Sequence, residues 1–261
     1  MESLFGSSLL DHLDRIEKIS RDAGDVIMEI YQKTINVSYK SDHSPLTEAD
    51  LKANCIIMNA LKGYYPEIPI LAEEAVTDFK GVHKEGDYWL VDSLDGTKEF
   101  IKHNGEFTVN IALIQKGEPI LGVVLAPEKK LLYRAAKNQG AYKREADGHL
   151  KKIKVASPAP NSPWIVMGSR SHKDEASQAW LQNLGEYQFM PMGSSLKICL
   201  IAEGMAHIYP RFGPTSLWDT AAAHIILKEA GGDIRDLEGQ VLNYANPSQV
   251  LNPRFIASSK A

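Results

Sequence analysis

The sequence predicts a mixed α+β and α/β protein, and three features of the chain predict it. Three runs of β-branched and aliphatic residues, at 108–114, 120–126 and 131–136, are separated by turn residues such as Lys116-Gly117 and Pro127-Glu128, the pattern of antiparallel neighbours. From Trp164 onward, short apolar runs alternate with helix-period stretches, which places a sheet between helices. Between these regions, 144–163 is charged and proline-containing. That composition marks a subdomain boundary at about 156–162, dividing residues 1–158 from 159–261.

A chain of 261 residues can bury a large core, and 44% hydrophobic with 24% charged residues is ordinary for a folded enzyme. A formal net charge of −4 without a basic block gives no footprint for duplex nucleic acid and points to a small-molecule partner. Cys55 and Cys199 lie far apart without Cys-x-x-Cys spacing, so both are expected as buried thiols in a reducing compartment. No apolar run has the pattern of a signal peptide or the length of a membrane span. The expectation is a soluble cytoplasmic protein.

Taken in order, Leu9, Leu13, Ile16, Ile19, Ala23, Ile27 and Ile30 recur at intervals of three and four, one face of an amphipathic helix. Residues 40–45 break the pattern. Thr47-Glu48-Ala49-Asp50 then opens a second helix with Leu51, Cys55, Met58 and Leu61 on one face, and Thr47 and Asp50 have capping-box spacing. On spacing alone, Asp50 is an acid favoured by the helix dipole. Residues 68–71 form a short predicted strand that delivers Glu73 and Glu74. On extended chain their side chains face opposite ways, and Glu73 is the inward choice, although spacing does not decide it.

The run Tyr88-Trp89-Leu90-Val91 is a predicted strand that gives out at Asp92-Ser93-Leu94-Asp95-Gly96-Thr97. A tight turn can aim both aspartates at one point, and Gly96 lets backbone approach closely. Carboxylate oxygens with a carbonyl such as that of Leu94 suit Mg²⁺; an Asp-Gly turn leading into a helix is the plain alternative.

In the second half, strands are expected at 164–168, 187–190 and 206–209, with helices at 173–184, 195–203 and 219–230. Gly193-Ser194-Ser195-Leu196-Lys197 is either an anion cradle at a helix start or a Ser cap with a solvated Lys. Residues 209–214 are too proline-rich for regular structure, and Arg211 there is a phosphate clamp or a surface residue. Asp219 has the usual helix-cap alternative. Yet Asp50, Glu73, Asp92, Asp95 and Asp219 all fall at strand ends or helix starts, where a shared cleft forms between layers.

These residues, in the order Asp50, Glu73-Glu74, Asp92-x-Leu94-Asp95-Gly96-Thr97, Trp218-Asp219, resemble the signature of the inositol monophosphatase superfamily of Mg²⁺-dependent, lithium-sensitive phosphomonoesterases. Residues 95–100, 105–113, 193–197 and 209–215, with Leu251-Asn252-Pro253-x-Phe255, resemble its bisphosphate nucleotidase branch. The resemblance runs from about Thr47 to the C-terminus. In one departure, Ser93 stands where the family pattern usually has Pro; Ser adopts the same φ at some entropic cost.

The resemblance implies a layered α-β-α-β-α sandwich, with most metal ligands in the first subdomain and Asp219 and the substrate side in the second. Glu73, Asp92 and the Leu94 carbonyl would hold one Mg²⁺. Asp92, Asp95 and Asp219 would hold a second, and some members use a third. Asp50 and Thr97 would orient and deprotonate the attacking water. Glu73, Leu94, Asp95, Gly96, Thr97 and Asp219 would also border the phosphate, and Gly193, Ser194, Lys197, Arg211 and His172 the remainder of the substrate. The implied reaction converts adenosine 3′,5′-bisphosphate to AMP and phosphate, with 3′-phosphoadenosine 5′-phosphosulfate as a further substrate, in sulfate assimilation. Some relatives attach peripherally to the cytoplasmic face of the inner membrane. Competing readings are the same chemistry on inositol 1-phosphate or fructose 1,6-bisphosphate, and a non-catalytic metal- or phosphate-binding protein.

Overall fold

In the computed structural model, which describes residues 8–33, 35, 37–40, 45–160, 162–171 and 175–259, helix α1 (Leu9–Tyr31) starts at a reciprocal cap. The Asp11 N–H donates to Ser8 Oγ, and the Ser8 N–H donates to the Asp11 carboxylate. Its predicted apolar face is buried at Leu13, Ile16, Ile19, Ala23, Ile27 and Ile30, each Leu or Ile contributing about 1.5–3 kcal/mol. A two-stranded antiparallel ribbon, β1 (Val37–Tyr39) and β2 (Pro45–Thr47), leads into α2 (Glu48–Tyr64).

The buried stripe of α2 is Ala49, Asp50, Ala53, Ile57, Met58 and Leu61, which keeps Met58 and Leu61 of the predicted face and replaces Leu51 and Cys55. Leu51 is half exposed and the Cys55 thiol is exposed. Two alanines carry little hydrophobic signal, but their small size lets the helix lie close to Trp89, Val91 and Leu94 in a shared core.

Next come β3 (Ile70–Ala72), β4 (Asp87–Asp95), α3 (Thr97–Ile101), β5 (Thr108–Gln115), β6 (Glu118–Ala126), β7 (Leu131–Ala136), β8 (Gly140–Arg144) and β9 (Leu150–Ile153). They form one seven-stranded sheet in sequence order, antiparallel except for β3 with β4. The second half supplies β10 (Trp164–Ser169), α4 (Glu175–Leu181), β11 (Tyr187–Met192), α5 (Leu196–Ala202), β12 (Ile208–Arg211), α6 (Ala221–Glu229), β13 (Asp233–Asp236) and β14 (Phe255–Ser258). Its five-stranded sheet has the order β11-β10-β12-β14-β13.

Side-chain alternation decides the layering. Val109, Ile111 and Leu113 of β5 pack with α1 and α2, whereas Ala112 and Ile114 pack with α5 and α6. The other side of that helical layer meets Met167, Tyr209, Ile234, Phe255 and Ala257 of the second sheet. Val166 and Ile208 face outward against Leu181 of α4, with Trp164 and Trp180. The architecture is therefore an α-β-α-β-α sandwich. At Gly122 the sheet and α6 approach closely: a Cβ there would lie 2.5 Å from both Ala222 O and Ile225 Cγ2.

In the second half, two elements differ from the sequence expectation. Pro210 lies inside β12, paired with Ile256. The single registered pair between β12 and β10 is Val166 with Ile208, so the strand has only β14 beside it at Pro210 and the missing N–H breaks no second ladder. The fourth helix is shorter than predicted, and the predicted start at Lys173 lies outside the described residues. Among the described residues, no helix is long and apolar enough to cross a membrane.

Candidate active site

Strand β4 does not stop before its acids; it runs through both, with a bulge between them. Asp92 pairs with Asn110 and Asp95 with Thr108, so Ser93 and Leu94 together stand opposite Val109. On an unbroken strand, residues three apart face opposite sides. The extra residue cancels that alternation and turns both carboxylates to one side. Ser93 is buried, and its hydroxyl donates to the Asp50 carbonyl at 3.1 Å, a bond that proline could not make.

Gly96 follows at φ 92°, in the left-handed region, and turns the chain from the bulge into α3. Thr97 opens that helix. Its hydroxyl lies 3.1 Å from Asp50 Oδ1 and 3.4 Å from the Leu94 carbonyl, so its single proton goes to the nearer carboxylate. Asp50 is also the cap acid: its Oδ2 accepts from the Thr47 N–H at 2.8 Å and hydroxyl at 2.6 Å. One carboxylate thus fits both sequence readings, one oxygen each. Burial pushes the Asp50 carboxyl up, while the bonds from Thr47 and Thr97 hold it down.

Parallel pairing of Ala72 with Val91 sets Glu73 beside Asp92. Glu73 and Glu74 do not continue as extended chain; they begin a 3₁₀ turn, Glu73–Asp78. Both therefore accept from one cation, Lys40 Nζ, at 2.7 Å and 2.5 Å. Asp219 closes a second 3₁₀ turn, Leu217–Asp219, where its Oδ2 accepts from the Ser216 N–H at 2.9 Å.

Glu73, Asp92 and Asp219 each offer an oxygen, and these oxygens all lie within 4.8 Å of one another. Burial first, then the charge of the neighbouring carboxylates, raises the Asp92 and Asp219 carboxyls well above their ordinary range. Burial also leads for Glu73, against which Lys40 pulls downward. Three convergent oxygen donors whose shared negative charge is this costly fit a hard divalent cation. Asp95 lines the same cleft, with Oδ2 occupied by the Ser195 N–H at 2.7 Å, the Ser195 hydroxyl at 2.9 Å and Asn110 Nδ2 at 3.4 Å.

Across the cleft, of about 290 Å³, stand Gly193, Ser194, Lys197 and Arg211. Lys197 is buried rather than solvated. Its Nζ donates to the Ser194 carbonyl at 2.5 Å and lies 5.4 Å from the Tyr209 ring centre, and burial lowers its pKa to about 8. Arg211 is fixed by bonds to Thr215 Oγ1 at 2.6 Å and the Pro214 carbonyl at 2.7 Å. Ser195 makes no side-chain cap bond, because its hydroxyl lies against Asp95 and the Asp219 carbonyl. His172 lies outside the described residues. The sequence reading assigned no role to Lys40 or Asn110 and read Ser195 only as part of a cradle or cap, whereas their contacts join segments between 33 and 100 positions apart.

The layered sandwich and its buried carboxylate cluster define the class of metal-dependent phosphatases. The chain belongs to the inositol monophosphatase family, whose model matches residues 10–261 and so takes in α1 as well as the motifs. Among curated relatives, the 3′(2′),5′-bisphosphate nucleotidase CysQ of Escherichia coli K12 is 48% identical over 248 residues, covering 94% of this chain and 99% of that protein. The Buchnera aphidicola protein of the same name is 49% identical over 251 residues, covering 95% and 93%. Among solved structures, CysQ from Bacteroides thetaiotaomicron aligns with a TM-score of 0.83 at 36% identity, covering 96% and 98%. A Thermotoga maritima IMPase aligns at 0.79 with 26% identity, covering 95% and 92%.

Proposed function

We propose that this chain is a Mg²⁺-dependent 3′(2′),5′-bisphosphate nucleotidase acting in sulfur metabolism. It removes the 3′-phosphate of adenosine 3′,5′-bisphosphate to give AMP, and also acts on 3′-phosphoadenosine 5′-phosphosulfate. The observation that carries this reading is the facing arrangement of one cleft: Glu73, Asp92, Asp95 and Asp219 on the acidic side, Lys197 and Arg211 on the basic side. Its likeness to curated bisphosphate nucleotidases over 94–95% of the chain supports the substrate class.

Glu73, Asp92 and the Leu94 carbonyl would hold one ion in this reading, and Asp92, Asp95 and Asp219 would hold a second. When bound, Mg²⁺ supplies positive charge to the phosphate and to the oxygens that enter and leave it. The protein supplies the proton path. Water gives a proton to Thr97 Oγ1 as the Thr97 proton passes to Asp50 Oδ1, a route supported by their 3.1 Å separation. Backbone N–H groups at Gly96 and Thr97 receive phosphate oxygens at the start of α3. Lys197 and Arg211 take the 5′-phosphate, which a monophosphate lacks.

Phosphate release by the purified chain tests this, with Mg²⁺ and adenosine 3′,5′-bisphosphate, inositol 1-phosphate or fructose 1,6-bisphosphate, each with and without Li⁺ or chelator. Preference for the nucleotide, lost with chelator and reduced by Li⁺, is the expected result. Preference for inositol 1-phosphate retains the acidic side and discards the assignment of Lys197 and Arg211. No release from any of the three favours the non-catalytic reading.

A further inference from the structure

The segment 215–220 serves both sides of the cleft at once. Thr215 anchors the Arg211 guanidinium. Ser216 fixes Asp219 by two bonds, its N–H to Asp219 Oδ2 at 2.9 Å and its carbonyl from the Asp219 N–H at 3.2 Å. The segment has no regular structure beyond one 3₁₀ turn, so something else must hold it. A strap at 250–252 does so: the Leu217 N–H donates to the Val250 carbonyl at 2.8 Å, Ser216 bridges Leu251, and the Asn252 N–H donates to the Thr215 carbonyl at 2.9 Å.

The Asn252 side chain completes the attachment. Its Nδ2 lies 2.7 Å from the Ser216 carbonyl, 3.1 Å from Thr220 Oγ1 and 3.3 Å from the Thr215 carbonyl. An amide has two N–H groups. The Thr215 carbonyl is already served by the Asn252 backbone, so the two side-chain hydrogens fall to Ser216 and Thr220, which flank Asp219. Asn252 and Asp219 thus hold the Ser216 carbonyl between them. Thr220 Oγ1 is braced from behind by Tyr244 Oη at 3.1 Å and donates to the Leu217 carbonyl at 3.1 Å. Asn252 itself is not among the residues lining the cleft.

We propose that Asn252 is a positioning residue that sets Asp219 and the anchor of Arg211 in one register, coupling metal affinity to recognition of the second phosphate. The proposal rests on the metal and substrate sides assigned above. Residues that orient a ligand from behind change metal affinity or activity roughly 10- to 100-fold when altered. Asn252→Asp keeps the shape and replaces the amide nitrogen and its two donors with an acceptor oxygen facing the Ser216 carbonyl and Thr220 Oγ1; Asn252→Ala removes them.

The test measures Mn²⁺ binding by electron paramagnetic resonance, together with KM for adenosine 3′,5′-bisphosphate and for inositol 1-phosphate, and melting temperature. Both Asn252 variants are expected to bind Mn²⁺ roughly tenfold or more weakly, with KM raised more for the bisphosphate than for the monophosphate. A lowered melting temperature with wild-type Mn²⁺ affinity and KM overturns the proposal. If neither Asn252 variant folds, Thr220→Val decides: it removes one of the two acceptors at constant shape, so weaker Mn²⁺ binding supports the proposal and unchanged binding overturns it. Should the wild type bind Mn²⁺ but hydrolyse no bisphosphate, the nucleotidase reading fails, and the role of Asn252 toward Asp219 stands or falls on the Mn²⁺ data alone.

Discussion

Thr97 and Asp50 meet across 47 positions of sequence, hydroxyl to carboxylate at 3.1 Å, and the carboxylate they share is buried behind the cleft. The other Asp50 oxygen caps α2, so the side chain that takes the proton in the proposed function is also the one that fixes its own helix start. Asp50→Asn keeps an oxygen for one of these tasks and removes the charge needed to take a proton. Turnover is expected to fall roughly 10²- to 10⁴-fold, with helix content by circular dichroism and melting temperature little changed. Activity within a few-fold of wild type would assign the proton path elsewhere.

Asp92 is buried among three carboxylate neighbours, Glu73, Asp95 and Asp219. Asp92→Asn is expected to abolish turnover and to raise the melting temperature of the metal-free protein. The pH dependence has a definite sign. A carboxyl raised on folding holds its proton more tightly in the folded state, so its stability contribution declines as pH rises from the unfolded value through the folded one. The gap in melting temperature between metal-free Asp92→Asn and wild type should therefore widen with rising pH and narrow when Mg²⁺ is added to the wild type. A pH-independent gap would mean that Asp92 is not charged at the expense of stability.

Lys197 is held by burial and by the Ser194 carbonyl, and in the proposed function it meets a phosphate that monophosphates do not carry. Lys197→Ala should raise KM for adenosine 3′,5′-bisphosphate and leave KM for inositol 1-phosphate less affected. Equal losses on the two substrates would reduce Lys197 to a structural cation.

Gly122→Ala forces a methyl group against Ala222 O and Ile225 Cγ2. The expected cost is about 1–3 kcal/mol by denaturant unfolding. Because α6 follows directly from Asp219, weaker Mg²⁺ saturation should accompany it. Wild-type stability would show that the layers part more easily than their packing suggests.

What the sequence reveals of this molecule depends on the range of each interaction. The face of α1 and the antiparallel ribbons of β5 to β7 follow from local periodicity, which needs no partner to be read. The first half of the α2 stripe misleads because alanines, Ala49 and Ala53, mark the side that packs there while Leu51 faces out. The bulge in β4 leaves no trace in composition, since it exists only relative to β5. Pro210 is read as a breaker because its tolerance depends on where β10 stops pairing with β12. Asp92, Asp95 and Asp219 belong to a recognisable order; Asn110, Ser195 and Asn252 lie in runs that resemble the nucleotidase branch, but what each holds is set by distant segments and is not readable locally.

The β4 bulge makes the site strict about length and lenient about identity. Ser can occupy position 93 because both tasks of the bulge, aiming Asp92 and aiming Asp95, depend on how many residues intervene rather than on which. Deleting either Ser93 or Leu94 would leave every carboxylate in the chain and return the strand to plain alternation, carrying Asp95 and the turn that follows it out of step with Ser195. In this stretch the cleft is written in a reading frame, and a shift by one residue erases it where a substitution at position 93 does not.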